Sequence, residues 1–299
     1  MRLIGLFLIS LFLRAPLPVK LLVGLLFLPI ALPLAILRIR RHRKDQAPVH
    51  RLAPEVLSER LVLQTAEIDP SSKELQAFRA RVLVLVDAED WAGLDTLVTR
   101  CDQARMAAKD DTRLAPHAIA AIWDRIQEEA ETHFDDRLSR GEDVIPASVI
   151  EPFLDAADDA PDSYALTALA AGLAMQLGWA RRGHAWSELT DEEEMQAMQE
   201  LFDTAGGLLS GFDAEDLNSP LLAGLAYDHL AGTGTDTKGL NRAFALRMRL
   251  DPGDPEALGA HGWYLLPRWY GDYEELDAAA RRRHAETHRA RGAADYALL

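Results

Sequence analysis

Cysteine is nearly missing from this 299-residue chain. The one thiol, Cys101, rules out an intrachain disulfide, and its place in a helical apolar pattern marks it as a small buried hydrophobe. Acidic residues are missing from one stretch only. Residues 1–44 hold eight of the 32 Lys and Arg and none of the 47 Asp and Glu, which leaves residues 45–299 with 24 basic against 47 acidic side chains, a formal charge of −23. A surface of that sign lacks the basic patches that displace counterions, so nucleic acid is excluded as a partner.

Motifs for chemistry are scarce too. His284 and His288 are four apart, but HAETH lacks the order that puts a general base between two metal ligands, and Arg281–Arg283 beside it disfavour a cation. GTGTDTKGL at 232–240 does not fit a phosphate-binding loop and follows no strand, so it reads as a hairpin turn. No G-x-S-x-G elbow is present. TDEEEMQAM at 190–198 reads as a capping box from Thr190 to Glu193 at a helix start, without the ordered spacing of a calcium loop. No catalytic residue, cofactor or metal ligand is therefore expected.

Long apolar runs occur at the N-terminus. Residues 3–13 are too few to span a bilayer; residues 21–37 give about 25 Å of helix against about 30 Å of hydrocarbon, with Lys20 and Arg38 able to snorkel. A cleaved signal peptide, a single span over 17–38 and a hairpin of both runs all fit, and an uncleaved anchor is preferred because no small-x-small site precedes the basic run. That run (Arg38, Arg40, Arg41, Arg43 and Lys44) places residues 45 onward in the cytoplasm by the positive-inside rule. The expected location is the inner membrane, with membrane contact through residues 3–37.

Beyond a linker at 45–55, strand patterns are absent and Ala, Leu, Glu and Arg dominate. Leu75, Phe78, Val82 and Leu85 recur at helical spacing, as do Trp91, Leu94, Val98 and Cys101, with DAED as the turn between: a helical hairpin over 73–106. Further helices are expected at 115–139, 147–158, 163–182, 190–210, 219–231, 237–250, 255–266 and 272–291. Residues 167–180 are apolar nearly all round, the pattern of a core helix. Pro220 and Pro252 lie 32 apart, and LRMRLDPGDPEAL at 246–258 resembles the junction between tetratricopeptide repeats. The expected fold is all-α: stacked antiparallel hairpins in a degenerate tetratricopeptide-like solenoid over 56–299, with a possible sub-boundary near 141–146, behind a membrane anchor at 1–44.

WARRGHAW at 179–186 and LLPRWYGDYEEL at 265–276 carry a closer resemblance, covering roughly 75–285. The chain is similar to an uncharacterised bacterial tetratricopeptide-like family with W-x-x-RG and PRW-x-G segments. Trp179, Arg182, Gly183, Pro267, Arg268, Trp269 and Gly271 match, while Tyr270 stands where a glycine is expected after PRW. The resemblance implies the helical-repeat fold. Trp179, Arg182, Trp186, Trp263, Arg268, Trp269 and Tyr273 form the candidate cluster, as core staples or as a groove for a partner. The function expected from sequence is a membrane-tethered interaction or scaffold module presenting an acidic surface to a protein partner. An accessory subunit of a membrane enzyme assembly, or a hydrolase or transferase with a scattered site, are the alternatives.

Overall fold

Short polar residues open the helices. In the computed structural model, which describes residues 70–133, 143–183 and 191–299, seven helices begin with an Asp or Ser side chain accepting a backbone N–H of the first turn: Asp90, Ser163, Asp191, Ser219, Asp236, Asp254 and Asp272. Each such cap contributes about 1 kcal/mol, so part of the acidic excess is helix-start chemistry. The capping box expected from Thr190 is displaced by one residue, to Asp191 and Glu194; Thr190 lies outside the described residues.

The helices are α1 (Pro70–Asp87), α2 (Trp91–Gln103), α3 (Leu114–Thr132), α4 (Glu151–Asp159), α5 (Tyr164–Arg182), α6 (Glu192–Leu209), α7 (Pro220–Thr233), α8 (Thr237–Leu250), α9 (Pro255–Tyr264), α10 (Tyr273–Arg291) and α11 (Ala294–Leu298). A 3-10 turn, Ala147–Ile150, leads into α4, where sequence periodicity gives one continuous helix. The α1–α2 turn places Glu89 at φ 51°, and the α7–α8 turn over 234–236 opens with Gly234 at φ 96°, a conformation suited to glycine. All described residues belong to the unit Ile68–Leu299.

The centre is α5. Nearly every residue from Tyr164 to Gly178 is buried, and α2, α3, α4, α6 and α7 all pack on it, α6 most extensively. Its small residues allow that crowding. A Cβ on Gly172 would stand 2.5 Å from Ile119 Cδ1, and one on Gly178 would stand 3.0 Å from Phe202. Phe202, on α6, is also wedged against Gly232 of α7. At the far end Asp295 of α11 is buried between Arg283 and Arg291. The Arg291 contact, Nε to Oδ1 at 2.6 Å, is an ion contact whose angle does not make a hydrogen bond.

Two corrections follow. In a solenoid each repeat touches only its neighbours, whereas α5 is enclosed by five helices from before and after it in the chain. The fold is thus all-α with some helix-hairpin packing (α1 with α2, α7 with α8), not a linear stack. The membrane reading is also withdrawn. Among the described residues no helix is long and apolar enough to cross a membrane. The expected anchor at 3–37 and the flank Arg38, Arg40, Arg41, Arg43 and Lys44 lie outside the described residues. Nothing among the described residues supports the tether, the membrane contact or the inner-membrane location.

Candidate functional site

A cavity of about 400 Å³ opens beside α5. Its frame is the end of α2 with the turn into α3, the C-terminal half of α5, the start of α7, the end of α8 with the following turn, and α9. Such a volume lies in the range of small-molecule sites.

One half of the lining is charged: Arg105, Arg113 and Arg247 with Asp102, Asp228, Asp251 and Asp254. Most of these groups are tied together. Arg113 grips Asp251 with two nitrogens, Nη2 to Oδ1 at 2.8 Å, and both side chains are largely buried. Those hydrogen bonds hold the Arg113 guanidinium above its ordinary pKa. Arg247 donates to Asp254 Oδ2 from Nη2 (2.9 Å) and Nε (3.2 Å), while Asp254 Oδ1 caps α9 at the Glu256 N–H. Arg105 donates to the Leu250 and Gln103 carbonyls and to Asn218 Oδ1. Asp102 accepts from the Ser219 and Tyr164 hydroxyls and from the Leu221 N–H. Burial raises its pKa, and those three donors pull it back.

Asp228 differs. It projects from α7 into the same cavity and accepts no hydrogen bond among the described residues. Burial pushes its carboxyl up to about 6, with Arg247 drawing it down and Asp254 pushing it up. Asp228 is part-buried, and a carboxyl partly withdrawn from water without a protein donor is costly to keep ionised, which makes it a candidate binding or proton-transfer group.

The other half is apolar: Ile119, Met175, Trp179, Leu225, Trp263 and Tyr264. Trp263 is 50% exposed, so its ring stands at the opening, whereas Trp179 is half-buried. The Tyr264 hydroxyl is raised by burial and then by Asp228. Cys101 also borders the cavity, with its thiol pushed up by burial.

The tryptophan–arginine cluster expected from sequence is dispersed. Trp179 and Trp263 face the cavity from α5 and α9. Arg182 lies 5.8 Å from the Trp179 ring, which packs edge-on against Phe202. Arg268 is exposed and stacks 3.8 Å from the Trp263 centroid, with Trp269 at 6.0 Å. Trp269 packs edge-on against Tyr264, and its Nε1 is buried without a hydrogen-bond partner. Tyr273 is 71% exposed at the start of α10, apart from the cavity, and Trp186 lies outside the described residues. With its anchors divided between a cavity wall and scattered positions, the acidic surface for a protein partner is not carried forward.

Sequence reasoning missed the charged half. Asp251 and Asp254 stand in the LDPGDP run, which reads only as a turn. Asp228 is one acid among 47, and no spacing sets it apart. His261 was missed as well. It is buried, stacked 3.8 Å from Phe244, bonded at Nδ1 to the Tyr227 hydroxyl (3.0 Å) and at Nε2 to Asn241 Oδ1 (3.1 Å), and burial lowers its pKa to about 4. Comparison with protein-family models, curated proteins and solved structures finds no match to this chain.

Proposed function

We propose that this chain is a ligand-binding helical domain whose receptor site is the cavity beside α5, and that it acts by binding rather than by covalent chemistry. The observation that carries this reading is the mixed lining: polar groups fixed by one another beside apolar side chains. Binding sites for small molecules have that division, with apolar area for affinity and a few placed polar groups for orientation. The groups that would serve a covalent mechanism are held otherwise. The Cys101 thiol is raised by burial, and the Ser219 hydroxyl donates to Asp102. The resemblance to the tetratricopeptide-like family stays a proposal resting on the W-x-x-RG and PRW-x-G residues.

A fragment library screened by thermal shift against the full-length chain tests the reading. Ala120, at a half-buried position on the wall, gives the control. Fragments that stabilise the wild type should not stabilise Ala120→Trp, whose indole fills the space. Hits that stabilise both equally, or no hits at all, overturn it.

A further inference from the structure

We propose that the occupant of this cavity is an organic monocation, an ammonium group on an apolar or aromatic body, with Asp228 as its counter-charge. This rests on the binding role proposed above and names the ligand class for it.

Charge pairing leads to that class. Four carboxyls and three guanidiniums line the cavity. Arg113 closes on Asp251 and Arg247 on Asp254. Asp102 accepts from three donors, the pattern of an ionised carboxylate, and Arg105 supplies the nearby positive charge. What is left over is Asp228, one negative charge that accepts no hydrogen bond among the described residues. A single positive charge with N–H donors answers it, because a charge-assisted hydrogen bond replaces the water that an occupant of the cavity would displace from the carboxylate.

Other occupants fit less well. An anion would need a guanidinium that is not already engaged, and each of the three holds a carboxylate or carbonyl oxygens. An inorganic cation needs several ligands at one point, and no group of three His, Cys, Asp or Glu is so placed among the described residues. A neutral apolar molecule would cover part-buried Asp228 without giving it a counter-charge. The remaining wall suits the body of an amine: Met175, Leu225 and Ile119 offer apolar contact, and the Trp263 ring already holds a cation, Arg268, 3.8 Å from its centroid.

Three probes on one phenylethyl body separate the possibilities by calorimetry on the full-length chain: 2-phenylethylamine, the neutral 2-phenylethanol and the anionic 3-phenylpropanoate. The amine should bind roughly tenfold or more tighter than the alcohol, the increment of one charge-assisted hydrogen bond, and the propanoate should bind weakest. Asp228→Asn keeps the shape and removes the charge. It should bring the amine down to the affinity of the alcohol, leave the alcohol unchanged and keep the melting temperature at or above wild type, which shows that the variant folds. Equal affinity for all three probes, tighter binding of the propanoate, or an amine preference that survives Asp228→Asn overturns the cation assignment. If at the same time Ala120→Trp abolishes binding, the cavity is still the receptor site and only the ligand class is wrong. If the amine fails to bind and no fragment depends on Ala120, the binding role itself falls.

Discussion

Three long-range hydrogen bonds beside the cavity converge on Asp102, so its removal has a calculable effect. It is 3% exposed on α2 and accepts from Ser219 Oγ (2.5 Å), the Leu221 N–H (2.9 Å) and Tyr164 Oη (3.1 Å), at the start of α7 and of α5. Asp102→Ala leaves those three donors inside the protein. The Tyr164 and Ser219 hydroxyls are partly protected: Tyr164 also accepts from Gln103, and Ser219 from the Leu222 N–H. The Leu221 N–H has no intrahelical partner, because it sits in the first turn of α7. A stranded buried donor costs about 1–3 kcal/mol, so the sum for Asp102→Ala is about 3–5 kcal/mol.

Asp102→Asn separates shape from charge. Its oxygen can keep the Leu221 bond, and the two hydroxyls can rotate to accept from its amide. Desolvation is the largest influence on the Asp102 carboxyl and outweighs its hydrogen bonds, so losing the charge is partly a gain. The expected cost is about 1–2 kcal/mol. Urea denaturation of purified full-length variants, read from midpoints at unchanged slope, gives both numbers. Asp102→Ala within about 1 kcal/mol of wild type, or Asn as damaging as Ala, would refute the reasoning.

Glycine positions give opposite signs. Gly232→Ala puts a Cβ 2.0 Å from Phe202 Cε1 and should destabilise by about 1–3 kcal/mol, despite the better helix propensity of Ala, whereas exposed Gly259 meets nothing within 4 Å and Gly259→Ala should stabilise by about 0.5–1 kcal/mol; matching signs in denaturation would contradict the packing. His261 should stay neutral in the folded chain down to about pH 4. Its depressed pKa contributes about 3 kcal/mol that is present above the unfolded value of 6.5 and lost as pH falls toward 4, while Asp228, raised to about 6, works in the opposite sense between pH 6 and 4; an imidazole NMR resonance titrating near 6.5 would show His261 to be solvated. Arg268→Ala should cost less than about 1 kcal/mol, because the guanidinium is exposed and its stacking on Trp263 is all that is lost; a deficit of several kcal/mol in denaturation would place Arg268 in the core instead.

The helices were legible because their apolar spacing and their Asp and Ser caps are local signals. Each helix of the first hairpin, the all-apolar helix at 167–180 and the turn at 234–236 could be read from fewer than twenty residues. What was not legible is non-local. Arg113 looks like any basic residue before a helix until Asp251, 138 residues later, closes on it. Asp228 is conspicuous only through what does not touch it, a property no window of sequence contains. The tryptophans did draw the eye to Trp179 and Trp263, but the rule that groups Trp with Arg cannot tell a cavity wall from an exposed stack such as Arg268 on Trp263. The solenoid expectation failed for a related reason. A repeat junction specifies how one helix follows another, while the burial of α5 on all sides depends on which helices return to it.

The LDPGDP run shows how a local signal acquires a non-local use. At a repeat junction an aspartate needs only to cap, and both here do so: Asp251 Oδ1 accepts from the Gly253 N–H at 3.2 Å and Asp254 Oδ1 from the Glu256 N–H at 2.9 Å. Each carboxylate also binds a guanidinium, Asp251 that of Arg113 from the start of α3 and Asp254 that of Arg247 from the end of α8, while Arg105 takes the Leu250 carbonyl just before. The turn after α8 is thereby fastened to the turn after α2, and the cavity lies where they meet. Its polar wall cannot shift toward a ligand without separating largely buried ion pairs, and removing one partner of such a pair costs about 3–5 kcal/mol. A wall so held enters binding already ordered, which spares a ligand the entropy of arranging it. It also cannot adapt, so in the proposed binding role discrimination among ligands would fall to Asp228, which among the described residues accepts no hydrogen bond.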